Sequence, residues 1–171
     1  MVSETYVECL VARKPSFLLR LLKTVFILLA ACFVLFGILF VGTFIPALLI
    51  AAVFGAAAYF SRLNADVEYE YLYLDKEISI DKIMAKSKRK KAAEYSVEKM
   101  EILAPIQSHR LDYYKNNPNM KKIVDYSSGV ADMPDKRYMM IYEGGVRVIF
   151  EPNIEFIKAV AGVAPRKVFM D

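Results

Sequence analysis

The chain has 171 residues, 56% of them hydrophobic, with a formal net charge of +4 and a mean hydropathy of +0.30. A soluble domain of this size is usually about 45–50% apolar, so the excess must be concentrated somewhere. Two cysteines and one histidine exclude a disulfide framework and a cysteine-rich zinc site. Charge spread evenly between the ends excludes a nucleic-acid domain, which gathers its excess on one surface.

Residues 1–16 read as a short cytoplasmic segment, with Arg13 and Lys14 at its end and Cys9 as an ordinary thiol. Between Lys23 and Arg62 stand 38 consecutive residues without Asp, Glu, Lys or Arg. One helix needs about 20 residues to cross about 30 Å of hydrocarbon, so this run is long enough for two. Its only proline lies in Gly42-Thr43-Phe44-Ile45-Pro46, and proline suits the first turn of a new helix. The pattern predicts a transmembrane hairpin over residues 17–62, with spans at about 17–41 and 45–60. Arg20 and Lys23 share a helix face and can snorkel to the headgroups.

The flanks carry Arg13, Lys14, Arg20, Lys23 and Arg62, whereas the connecting turn is uncharged. The positive-inside rule then places both termini in the cytoplasm of a two-span cell-membrane protein. A cleaved signal peptide ending near Ala56-Ala57-Ala58 is the competing reading, but its apolar stretch would be about threefold shorter. Ala47, Ala51 and Gly55 recur four residues apart, a spacing that lets two helices approach closely. Packing on the first span of the same chain explains them most simply. A homodimer seam is the alternative.

Residues 66–171 change character, and alternation replaces the apolar run. Val67, Tyr69, Tyr71 and Tyr73 alternate with Glu68, Glu70, Leu72 and Leu74, the period of a strand. Ile78 and Ile80 begin a second strand, and 92–96 and 100–104 follow as a third and fourth, the last stopped by Pro105. The basic run Lys86-Ser87-Lys88-Arg89-Lys90-Lys91 reads as the loop before the third strand. A fifth strand is predicted over 121–126. Residues 137–142 and 146–150 flank Glu143-Gly144-Gly145 as a tight hairpin. Pro152, Ile154, Ile157, Val160 and Ala161 then follow a helical period. The result is an α+β chain: a transmembrane helical hairpin, then a mostly antiparallel, strongly bent sheet or partial barrel with a C-terminal helix. About 105 residues are enough to bury such a domain's own core.

Two spans, then strands, the basic run 86–91 and the ending Phe150-Glu151-Pro152-Asn153 into a helix resemble the bacterial PH-like proteins. More narrowly, the chain is similar to a clostridial family of two-span membrane proteins with a PH-like cytoplasmic domain. The resemblance implies a module that binds lipids, peptides or other proteins.

The chain contains no nucleophile elbow, P-loop or dinucleotide-binding glycine motif. No enzymatic activity, cofactor or metal is expected, and His109 reads as an exposed loop residue. Lys86, Lys88, Arg89, Lys90 and Lys91 are the candidate lipid-binding residues. An anionic leaflet attracts each basic residue near its surface by about 1 kcal/mol. The plainer reading is a solvated loop that reinforces topology. Tyr69, Tyr71 and Tyr73 read as packing, with a ligand-facing surface as the alternative. The expected function is a membrane-anchored scaffold that recruits a protein partner at the cytoplasmic face. Anionic headgroup sensing and an accessory role in a transporter or other membrane complex are the alternatives.

Overall fold

The computed structural model describes residues 6–40, 44–118, 120, 122–131 and 134–170. The chain divides into two compact units, one made of residues 15–67 and 84–88, the other of the remainder.

The first unit holds two long helices, α1 (Phe17–Leu39) and α2 (Phe44–Ala65). The Ser16 hydroxyl caps α1 by accepting a hydrogen bond from the Leu19 N–H at 3.4 Å. Of the predicted turn, residues 41–43 lie outside the described residues, and Pro46 sits in the first turn of α2 as expected. The second helix runs to Ala65, past the predicted end of its span. Small side chains face α1: Ala47, Ala51 and Ala58 are at most 7% exposed. A Cβ built on Gly37 would stand 3.0 Å from the Ala47 Cβ, so the helices approach too closely there for a larger residue. Two of the residues weighed as a homodimer seam, Ala47 and Ala51, are therefore buried within the chain, while Gly55 has open space beside it. Phe54 stacks between Phe33 (5.7 Å) and Phe26 (6.1 Å).

The rest of the helical surface is apolar and uncovered. Only 6% of the most apolar stretch of α1 is buried in the chain. Thr24 and Ser61 turn their hydroxyls back onto the carbonyls of Arg20 and Ala57, hiding their polarity inside the helix. Both helices are long and apolar enough to cross a membrane.

The second unit is built on two four-stranded sheets. The first has the order β1 (Val7–Ala12), β2 (Val67–Leu74), β3 (Glu77–Met84), β4 (Lys88–Ser96). Val7–Ala12, within the segment expected to be cytoplasmic, thus supplies an edge strand. It pairs antiparallel with β2, from Val7 opposite Tyr73 to Ala12 opposite Glu68. Tight turns join β2 to β3 and β3 to β4, with positive φ at Asp75 and Lys76 and again at Ala85 and Lys86.

The second sheet contains β5 (Met100–Pro105), β6 (Lys122–Asp125), β7 (Tyr138–Tyr142) and β8 (Val146–Phe150), in the order β5-β7-β8-β6. All its pairs are antiparallel except β6 with β8. The predicted hairpin at 143–145 is present, with Glu143 and Gly144 at positive φ. Between β5 and β6 lies a short helical turn, α3 (Asp112–Lys115), and the chain closes with α4 (Ile154–Val163). The expected α+β order is present: two apolar helices, then mostly antiparallel strands, eight among the described residues and arranged as two four-stranded sheets, and a C-terminal helix.

The main core gathers aromatic rings from three elements. Tyr71 meets Phe150 at 5.5 Å and Phe156 of α4 at 6.5 Å, and Tyr73 meets Phe156 at 6.0 Å. Asn153 caps α4 by accepting from the Phe156 N–H at 2.8 Å, which fixes the angle at which Phe156, Ile157 and Val160 enter the core. A second cluster on the other face of the β5–β7 pair joins Ile102, Ala104, Met139 and Ile141 to Leu111 and Met120. Arg147 holds the covering segment down through the carbonyls of Lys115 and Met120.

Candidate binding surfaces

The basic run is not a loop. Only Lys86 lies in the β3–β4 turn; Lys88, Arg89, Lys90 and Lys91 open β4. A strand at the end of the sheet order tolerates such residues, because edge lysines discourage stray strand pairing. Successive side chains on a strand point to opposite faces, and the basic residues accordingly find different surroundings. Arg89 ion-pairs with Glu70 and lies 3.7 Å from Asp81. Lys91 pairs with Glu94 at 2.6 Å, which pushes the lysine up and holds the carboxylate below its usual range. Lys88 lies over the Tyr59 ring, 5.2 Å from its centroid. Lys90 makes no ion pair among the described residues. Two of the five candidate cations, Arg89 and Lys91, are thus neutralised by carboxylates of the sheet.

Glu70, the acid that Arg89 meets, is only 4% exposed although it stands on the sheet's polar face. Burial pushes its carboxyl above the usual range, and a hydrogen bond with Glu8 of β1 raises it further. The Tyr6 hydroxyl donates to Glu8 at 2.8 Å and holds that carboxylate below the usual range. Glu8 stands on β1 and Glu70 on the adjoining β2, so this polar cluster lies across the pairing of the edge strand with the sheet.

The helical unit has its own polar end. The Ala85 N–H donates to the Asp66 carbonyl at 2.8 Å, just past α2. Asp66 also pairs with Arg20 at 2.7 Å, a half-exposed contact that contributes little to stability. The β3–β4 turn, with Lys86 and Lys88, is therefore held against the C-terminal end of α2.

The tyrosine stripe is core, and the ligand-facing alternative is excluded. Tyr69, Tyr71 and Tyr73 are at most 5% exposed. The Tyr71 hydroxyl donates to the Tyr126 carbonyl at 2.7 Å and accepts from the Glu151 N–H at 3.3 Å. Burial pushes that hydroxyl far above its ordinary range, so it stays protonated.

Two grooves in the sheet unit were not foreseen. One, of about 680 Å³, runs beside β1 and the start of α4, lined by Leu10, Val130, Tyr138, Pro152 and Ile157 among others. Cys9 lies in it with its thiol pushed up by burial, the environment of an unreactive cysteine. The other, of about 520 Å³, lies between the β2–β3 turn, the turn after β4 and the segment after α4. Each draws its lining from three separated stretches, so no local motif announces either. His109 is exposed on a 3₁₀ turn. Among the described residues, no group of three His, Cys, Asp or Glu side chains could hold a metal.

Two mostly antiparallel sheets closed by a C-terminal helix define an α+β domain of the PH-like kind. The chain belongs to the bacterial PH-like domain family (DUF6106), which matches residues 3–170. No curated protein and no solved structure shows significant similarity to it.

Proposed function

We propose that the protein is a non-enzymatic, membrane-anchored binding module that recruits a protein partner at the cytoplasmic face. The carrying observation is the uncovered apolar surface of α1 and α2, where Phe17, Leu39, Ile45 and Val53 are 68–80% exposed. Nothing in the described chain covers this surface, and water is a poor solvent for it. Lipid is the natural cover. A PH-like domain then supplies binding, consistent with a family whose fold typically serves recognition.

The anchoring reading predicts that the chain stays in the membrane pellet through high salt and alkaline carbonate. A reporter after Asp171 should be cytoplasmic, and a tag inserted at Gly42-Thr43 should be reachable from outside. Release by salt alone would end the anchoring claim, and an external C-terminal reporter would end the topology.

A second reading, anionic headgroup binding, is favoured by the contacts of the β3–β4 turn with Asp66 and Tyr59. If α2 spans the bilayer, those contacts hold Lys86 and Lys88 near its polar boundary. A soluble form with residues 15–66 replaced by a short loop should then bind anionic vesicles at low salt and release them as screening shortens to about 10 Å at 0.1 M. Lys86→Ser with Lys88→Ser should remove most of this binding, whereas Lys91→Ser, which breaks a pair with Glu94, should leave it. No binding at low salt would reject the lipid reading.

A further inference from the structure

We propose that the groove of about 520 Å³ walled by Lys76, Glu98, Arg166 and Lys167 is the docking site for an acidic segment of the protein partner. This rests on the recruiting function proposed above and gives it a place and a ligand chemistry. Lys76 comes from the β2–β3 turn, Val97 and Glu98 from the turn after β4, and Val163 to Lys167 from the end of α4 and the chain beyond it. The β2–β3 turn lies at the opposite end of β2 from Val67, where the strand leaves α2.

Charge complementarity selects the occupant. Three cations surround one carboxylate, which leaves the groove with two net positive charges. Glu98 is already engaged: Lys76 donates to its carboxylate at 3.3 Å, and Lys167 donates to its backbone carbonyl at 2.8 Å. Arg166 is exposed and has no acidic partner among the described residues, so its guanidinium is available for a bidentate carboxylate contact. The dipole at the end of α4 attracts cations by itself, but Lys76 belongs to a turn remote in sequence and is not explained that way.

Between the charges lies apolar surface from Val97, Val163 and Pro165, with Val163 46% exposed. Cations spread around an apolar floor suit a peptide that alternates carboxylates with an aliphatic side chain. A compact phosphate dianion would want converging donors, and here it would meet the Glu98 carboxylate instead.

The test uses the full chain in nanodiscs of zwitterionic lipid and fluorescence anisotropy. The probe is a short blocked peptide in which pairs of glutamates alternate with leucine. Controls replace its glutamates by lysine, or its leucines by glycine. We expect saturable binding of the acidic leucine peptide, weaker binding of the glycine version and none of the lysine version. Arg166→Glu should weaken binding about tenfold or more, and Lys90→Glu should not. Arg166→Ser, which disturbs no side-chain hydrogen bond among the described residues, should show a smaller loss at unchanged melting temperature. The proposal is overturned if the acidic peptide fails to bind, binds no better than the lysine control, or is indifferent to Arg166. It is equally overturned if inositol hexakisphosphate displaces the peptide far better than added salt of equal ionic strength does, which would make this a phosphate site. Membrane retention of the chain is scored separately, so failure of the groove leaves the anchored module standing, and loss of anchoring is not mistaken for failure of the groove.

Discussion

Joining Lys14 to Val67 through a short glycine–serine loop, with residues 15–66 removed, is expected to give a soluble protein that melts cooperatively. Ala12 and Glu68 are paired at the end of an antiparallel ladder, so a short loop can close there at little entropic cost. The fragment 67–171, which lacks β1, should fare much worse. It loses a whole edge ladder and exposes the side of β2 that carries Glu70, a residue sealed partly by Glu8. A loss of about 2–3 kcal/mol would lower the melting temperature by on the order of 10 °C in a domain of this size. The uncovered strand should also promote aggregation. Equal melting of the two proteins would show β1 to be dispensable. A joined chain that remains disordered would show that the sheets depend on the helices.

Tyr71→Ala should be among the most damaging single substitutions, costing about 3–5 kcal/mol. It removes a fully buried ring that touches Phe150 and Phe156, and it strands the Glu151 N–H and the Tyr126 carbonyl together. Whole domains are stable by only about 5–15 kcal/mol, so the alanine variant can fail to fold outright. Tyr71→Phe keeps the ring and isolates the hydroxyl, with an expected loss of about 1–3 kcal/mol from two unpaired backbone groups. Thermal melts of the loop-joined domain read both values. A phenylalanine variant as stable as the parent would mean that the hydroxyl bonds do not matter to the core.

The parts of this architecture that sequence makes plain are those written in consecutive residues. The uncharged run of 38 residues and the proline within it mark α1 and α2, and Glu143-Gly144-Gly145 marks the β7–β8 hairpin. The tyrosine alternation predicts β2 and its buried face. What stays hidden is non-local. Val7–Ala12 alternates only briefly, and its partner strand begins beyond the whole helical hairpin. Lys88 to Lys91 look like a solvated loop because charge runs usually are, and only the sheet order reveals that their strand is an edge. The acidic neighbours that neutralise Arg89 come from β2 and β3, and the groove around Arg166 is closed by residues scattered from Lys76 to Lys167.

The way the helices enter the chain limits how the sheets can move. Four residues, 13–16, connect β1 to α1, and Asp66 alone connects α2 to β2. A linker of four residues spans at most about 14 Å, so neither connection allows a long excursion. If α1 and α2 lie in a bilayer, as proposed, connections this short keep the domain from sampling the cell's volume. Partners that share that bilayer meet it at a high effective concentration, so a contact too weak to hold two freely diffusing proteins together can be sufficient there.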